Sequence, residues 1–272
     1  MTDIVHSLSG VKRKLKFGVF IPRKITLRPK NSKAIISDLF PIRNDVDWKT
    51  EFELLNVPGL INGNNNDTNI NHSVTLYFFD DNGNLLGNKH FVMNSAGRQT
   101  IKLSEILNSG LSSSKTFALF HNYEENILLS DGSFLAERGY TGYEYKNSGV
   151  KGYVHGNLDA VALSDSQVTP LGNSGLIPRT YTVQHQLLGP AKYDFVFTNP
   201  TSRGIVIKPL LSGIKNNWIA QKSFGIPSLG TRSFTVNLEK KDSYKIKFKS
   251  RLYLGRPVVF RIFNQSMDVF HG

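Results

Sequence analysis

Cysteine is absent from the sequence, which excludes disulfide frameworks, thiolate zinc sites and cysteine nucleophiles while leaving the redox compartment open. No apolar run approaches the ~18 to 20 residues that a membrane-crossing helix requires, so no membrane span is expected. The N-terminal stretch MTDIVHSLSGVKRKLKFGVFIPRK also lacks the order of a secretory signal, because its basic residues follow the weak apolar stretch instead of preceding it. Helical periodicity is nearly missing: LSEIL, Leu103 to Leu107, makes at most one short turn. Acidic residues are outnumbered, 21 Asp and Glu against 33 Lys and Arg, which leaves a net charge of +12.

That excess sits at the two ends of the chain. Lys12, Arg13 and Lys14 belong to a basic run before Lys33, and Lys245, Lys247 and Lys249 belong to another between Glu239 and Arg261, so the middle is slightly acidic. Such polarity is an electrostatic footprint for a polyanion, whether nucleic acid, anionic glycan or membrane surface; a plainly solubilising surface is the alternative. The lysines of YKIKFK fall at period two, on one face of a strand opposite Ile246 and Phe248. A row of this kind also protects an edge strand from edge-to-edge pairing. No recognition motif of a DNA- or RNA-binding module occurs, so nucleic acid ranks behind glycans among the polyanions.

At 272 residues the chain can bury a core without metals or disulfides. Segments such as KTEFELLN, SVTLYFFD, KTFALFHN, YDFVFTN, GIVIKPLL and VVFRIF alternate or cluster β-branched and aromatic residues between turn residues, the pattern of strands. Asn82-Gly83 between two apolar runs predicts a tight hairpin. Asp80, Asn82 and Asn84 also stand at alternate positions, but Gly83 is fourth where an EF-hand loop needs its glycine sixth.

An internal repeat follows from the order of these strands. EFELLN, VTLYFFD, KHFVM, RQTIKL and FALFHN parallel YDFVFTN, GIVIKPLL, QKSFGI, RSFTVNL and FRIFNQ; an aromatic strand ends at Asn56 in one series and at Asn199 in the other. The predicted fold is all-β, two related antiparallel β-sandwich-like halves joined by a Tyr/Gly-rich β segment. Its parts are a basic N-terminal segment with a strand over residues 1–47, a first half over 48–125, the central segment over 126–190 and a second half over 191–272. Asn-rich GLINGNNNDTNI reads as a solvated surface loop.

Within the central segment, YVHGNLDAV (Tyr153 to Val161) resembles in part the Asp-x-His-Gly-Asn signature of metallophosphoesterases, where the Asp and His bind one metal of a two-metal centre. Here Tyr153 stands in place of that Asp, and a phenol with a pKa near ~10 cannot replace a chelating carboxylate at neutral pH. His121, His155 and His185 are too widely spaced in sequence to define a zinc site, and no Gly-x-Ser-x-Gly element marks a serine nucleophile. No cofactor and no metal are expected.

Binding fits the composition better than catalysis. Glu137, Arg138, Tyr140, Tyr143, Tyr153, His155, Asn157 and Asp159 cluster in this segment; tyrosine faces stack on sugar rings or bases, while Arg, Asn and Asp reach hydroxyls or phosphates. The competing account packs the same tyrosines between the two halves. The sequence therefore points to a non-catalytic binding or assembly module for a glycan or other polyanion, with self-association into a homo-oligomer open. Two alternatives stand beside it: a carbohydrate-active enzyme working through Glu137, Glu144, Asp159 or His155, and a structural subunit of a surface or virion assembly.

Overall fold

The alternation of the sequence becomes strands in the structure, a computed structural model that describes residues 27, 35–55, 73–92, 98–108, 110–122, 139–156, 160–213, 217–252 and 256–272. Among these, 65% are strand and 3% helix, and the strands pair antiparallel. In chain order they are β1 (Ile35–Ser37), β2 (Phe40–Pro41), β3 (Trp48–Leu55), β4 (Ser73–Phe79), β5 (Leu85–Val92), β6 (Arg98–Lys102), the short helix α1 (Leu103–Leu107), β7 (Thr116–Asn122), β8 (Gly139–Tyr145) and β9 (Lys151–His155). There follow β10 (Val161–Ser164), β11 (Gln167–Pro170), β12 (Ser174–Thr182), β13 (Leu187–Leu188), β14 (Ala191–Thr198), β15 (Ile205–Ser212) and β16 (Trp218–Ala220). The last are β17 (Phe224–Ile226), β18 (Thr231–Leu238), β19 (Ser243–Leu252), β20 (Val258–Phe263) and β21 (Ser266–His271). The N-terminal strand, the basic residues Lys12, Arg13 and Lys14, the Asn-rich loop and Asn56 lie outside the described residues.

Local chemistry explains individual elements. Along β3, Trp48, Thr50, Phe52 and Leu54 are buried while Lys49 is exposed, the period of a half-buried strand. The predicted helical turn forms over Leu103–Leu107 and buries Leu103 and Leu107, four apart and therefore on one face. Between β4 and β5 the hairpin forms with only Gly83 in the left-handed region, at φ +83°. Asn82 need not enter it, because the Asp80 carboxylate organises a longer loop: Oδ1 accepts the N–H groups of Asn82 and Asn84 at 2.9 and 2.8 Å. The two-residue turn with positive φ at both centres occurs instead between β10 and β11, at Asp165 and Ser166 (φ 51° and 60°).

Strand pairing builds five antiparallel sheets. Sheet A runs β2-β7-β4-β5, sheet B β6-β3-β8-β9, sheet C β12-β19-β15-β16, sheet D β18-β14-β20-β21, and sheet E β1-β10-β11. β13 and β17 add to sheet C through β19 and β15. Blades of a propeller are consecutive strands, whereas here the chain alternates between A and B, and then between C and D. Sheets A and C have the same order of corresponding strands, and so do B and D. In each pair of sheets the ribbons are nested: β4 pairs β5, β3 pairs β6 and β2 pairs β7, as β15 pairs β16, β14 pairs β18 and β12 pairs β19. The partner of β8 is then β9, and the partner of β20 is β21, while β1 pairs β10 in sheet E.

This order alters one equivalence drawn from the sequence. The strand Thr116–Asn122 corresponds to Ser243–Leu252, and Val258–Phe263 corresponds to Gly139–Tyr145, a strand in the tyrosine segment. Pairing also divides that segment: β8 and β9 complete sheet B, β12 and β13 join sheet C, and β10 and β11 make sheet E. Aromatic-x-apolar-Phe occurs in several strands of a β protein, so a shared local pattern could not fix which strand matched which.

Each pair of sheets encloses its own apolar cluster. Phe40, Phe52, Leu54, Val74, Leu76, Phe78 and Phe117 lie between A and B; Tyr193, Phe195, Phe197, Ile207, Ile246 and Phe248 lie between C and D. At about 1.5 to 3 kcal/mol for each fully buried large side chain, these clusters dominate the folding energy. Sheet E covers the outer side of sheet A through Tyr77, Phe79, Phe120 and Val161. A further cluster joins sheet B to sheet D: Trp48, Tyr143, Tyr145 and Val154 meet Val196, Val258 and Phe260.

Polar groups pin this seam. Arg43 donates from Nη2 to Asp194 Oδ2 at 2.6 Å, and its guanidinium lies 3.9 Å from the Trp48 ring centroid and 4.7 Å from that of Phe260. Burial pushes the Asp194 carboxyl up, but the Thr235 hydroxyl bond and the Arg43 and Lys192 charges outweigh it and hold the group below the usual carboxylate range. Away from the seam cluster, Arg232 reaches Asp81 Oδ2 at 3.2 Å and Asn82 Oδ1 at 2.8 Å, fixing the β4–β5 hairpin against β18.

Candidate functional site

Two sheet faces carry the residues of chemical interest. On sheet B, register places Tyr140 opposite His155 and Gly142 opposite Tyr153, so Tyr140, Tyr153 and His155 share one face, with Glu51 beside Gly142 on β3. Tyr140 and Tyr153 are 47% and 42% exposed. The Tyr153 ring lies against Gly142, where an added Cβ would come within 2.6 Å of its Cε1, and its hydroxyl donates to Glu51 Oε1 at 2.9 Å. Tyr143 is on the opposite face, fully buried, with its hydroxyl donating to the Pro41 carbonyl at 2.8 Å. Burial pushes that phenol up, and packing leaves it no surface for a ligand. Of the sequence candidates, Glu137, Arg138, Asn157 and Asp159 lie outside the described residues.

A cleft of about 280 Å³ opens on this face, lined by Lys49, Glu51, Lys102, Glu105, Glu144 and Lys151 among others. Most of its charges have partners. Lys151 Nζ is 2.6 Å from Glu51 Oε2, Lys102 pairs with Glu105 at 3.3 Å, and Glu144 Oε1 accepts the Gly149 N–H at 2.8 Å. Nearby, Glu53 is held below the usual carboxylate range: burial raises it, but the Arg98 and Thr100 bonds and the Arg98 and Lys151 charges outweigh that. Lys151–Glu51 and Arg98–Glu53 pair across strands, and each carboxylate named has a structural partner.

His155 stands at the end of β9 against the end of β21. Its carbonyl lies 2.9 Å from His271 Nε2 and the two rings are 4.7 Å apart. Burial lowers the His271 pKa to about 4, against the bond to the His155 carbonyl that raises it. His121 is fully buried in β7, and His185 packs on Phe270 at 4.8 Å. Among the described residues no group of three or more His, Asp or Glu side chains is placed to share a metal ion, and no helix is long and apolar enough to cross a membrane.

Sheet C presents the opposite electrostatics. On β19 the burial alternates, with Lys245, Lys249 and Arg251 exposed, Lys247 half-buried, and Ile246, Phe248, Ser250 and Leu252 buried. Register sets Lys208 of β15 directly opposite Lys249, and Leu210 opposite Lys247. On the other flank the exposed Thr180 and Thr182 lie opposite Lys249 and Lys247. Trp218 pairs with Ser212 from β16, and its indole extends to Lys247, whose Nζ is 3.8 Å from the ring centroid. The strands of sheet C contain no Asp or Glu. Among the described residues, none of the ion pairs includes Lys208, Lys247, Lys249 or Arg251.

The edge-guard account of the lysine row fails here, since β19 is hydrogen-bonded on both sides, to β12 and to β15. Like charges directly opposite on neighbouring strands are destabilising, so the Lys208–Lys249 juxtaposition is a cost that strand pairing does not recover. Arg251 continues the period-two row and was legible in the sequence. Lys208 and Trp218 were not, because they reach the row only through the register of β15 and β16.

No protein-family model matches the chain. No curated protein matches it. Among solved structures, that of the infectious bursal disease virus Gx strain is similar at 12% identity, over 88% of this chain and 56% of that chain, with a TM-score of 0.18, too low to carry that protein's fold or role over to this one.

Proposed function

We propose that the protein is a non-catalytic β-sandwich binding module whose ligand is a polyanion held across the outer face of sheet C. The two pairs of sheets are read as two related sandwiches of the jelly-roll kind, since nested antiparallel ribbons folded over one another are the Greek-key construction of that architecture. What carries the functional reading is the Lys245–Lys247–Lys249–Arg251 row with Lys208 beside it, on a sheet without acidic residues. Several cations at this spacing sum to a potential that attracts anions and is screened by salt. On sheet B the cleft is lined by three lysines and three glutamates and offers no such field, which argues against placing the ligand on the tyrosine face.

Retention on immobilised heparin across a salt gradient tests the reading. The wild-type chain is expected to stay bound beyond roughly physiological ionic strength, where the screening length is ~8 Å. Lys245→Gln/Lys249→Gln/Arg251→Gln is expected to elute markedly earlier than a charge-matched control, Lys49→Gln/Lys89→Gln/Lys102→Gln. Equal losses in the two triple variants would mean that net charge, not this face, binds the polymer, and the proposal would fall.

A further inference from the structure

We infer that the polyanion suited to sheet C is a single-stranded nucleic acid, with phosphates on the β19 row and a base on Trp218; this rests on the polyanion reading above. Residues two apart on a strand are ~6.5 to 7 Å apart, so Lys245, Lys247, Lys249 and Arg251 form a ladder close to the phosphate-to-phosphate step of a nucleic-acid strand. Trp218 stands to one side of that ladder, two strands away, with Lys247 Nζ 3.8 Å from its ring centroid. The exposed Thr180 and Thr182 flank the other side and supply hydroxyl donors for phosphate oxygens.

A basic track with an aromatic platform beside it is the arrangement that takes single strands without a sequence code, because every base has a π face. A duplex would present its phosphates to the lysines but keep its bases stacked away from the indole. A sulphated glycan would use the cations, but its sugar rings carry charged sulphates and offer Trp218 a poorer stacking face than a base does. The other aromatics of these strands, Tyr181, Phe224, Tyr244 and Phe248, belong to the core cluster between sheets C and D. Trp218 is therefore the one aromatic that the described part of this sheet offers to its cationic face.

The test titrates the full chain with a twelve-residue oligouridylate and, separately, with a heparin fragment of matched charge. Trp218 fluorescence is the reporter; the other tryptophan, Trp48, is 5% exposed beneath Arg43 and supplies a steady background. The oligonucleotide is expected to quench Trp218, with log affinity falling against log salt at a slope of about −3 for four phosphates neutralised. Trp218→Ala is expected to weaken oligonucleotide binding on the order of tenfold and to leave heparin binding unchanged, while Trp218→Phe retains most of the affinity. Heparin binding without oligonucleotide binding, or an equal loss of both in Trp218→Ala, overturns the nucleic-acid assignment and leaves the polyanion reading standing. Binding of neither polymer overturns both.

Discussion

Replacing Arg43 with Met keeps an unbranched side chain over Trp48 and Phe260 but deletes the charge that faces Asp194. Asp194 is 4% exposed and would keep only the Thr235 hydroxyl at 2.7 Å and the Lys192 ammonium at 3.5 Å. Removing one partner of a buried ion pair costs about 3 to 5 kcal/mol; with those two contacts remaining, the lower end is expected, about 3 kcal/mol. For a chain near this size that is a fall in Tm of roughly 6 to 12 °C. Chemical denaturation followed by Trp48 fluorescence and by circular dichroism measures it. Arg43→Met/Asp194→Val, which replaces the pair by apolar groups, is expected to recover at least half of the loss, because the penalty belongs to the abandoned charge. The linkage has a definite sign: with its folded pKa below 3.8, Asp194 contributes fully above the unfolded value, and the contribution disappears as pH falls through the folded one. A single-variant cost under about 1 kcal/mol, or a double variant as poor as the sum of the two singles, would refute the reasoning.

Two other expectations concern separate parts of the molecule. His271 has a folded pKa of about 4 against 6.5, so the unfolded chain takes up a proton that the folded chain refuses; stability is full above about 6.5, declines between there and about 4, and levels off below, by on the order of 3 kcal/mol in all. His271→Gln should flatten urea midpoints across that window, and an unchanged slope would remove the assignment. Buried Asn199 donates to the carbonyls of Ile226 and Pro227 at 3.0 and 2.9 Å and accepts from Thr201 Oγ1 at 2.7 Å. Asn199→Ala, which orphans several of these groups, is expected to cost about 2 to 4 kcal/mol at about 1 to 3 per unsatisfied buried group, read from denaturation midpoints; a loss under 1 would show that the loop rearranges.

Period-two alternation within KTEFELLN, SVTLYFFD and YKIKFKSR was enough to place β3, β4 and β19, because the direction of a side chain from a strand is a local property of the backbone. The same rule assigned Lys245, Lys247 and Lys249 to one face. It could not say what flanked them. β19 reads like a charged edge strand, yet β12 and β15 close on it from segments tens of residues away, and only that pairing turns a solubility device into part of a cationic sheet face.

The tyrosines show the same division. Tyr140, Tyr143, Tyr145 and Tyr153 look alike in the sequence, but one residue of parity and the register with β3 send Tyr143 and Tyr145 into the seam and leave Tyr140 and Tyr153 outside. Composition and periodicity by themselves determined an all-β chain, the strands named above and the helical turn at Leu103–Leu107, since each depends on residues close in sequence. Which strands correspond, which faces are covered, and the meeting of Arg43 with Asp194 or of Trp218 with Lys247 were decided only in the tertiary structure. Those contacts are set by the order of strands across a sheet and the packing of sheet on sheet, and neither leaves a local mark on the chain.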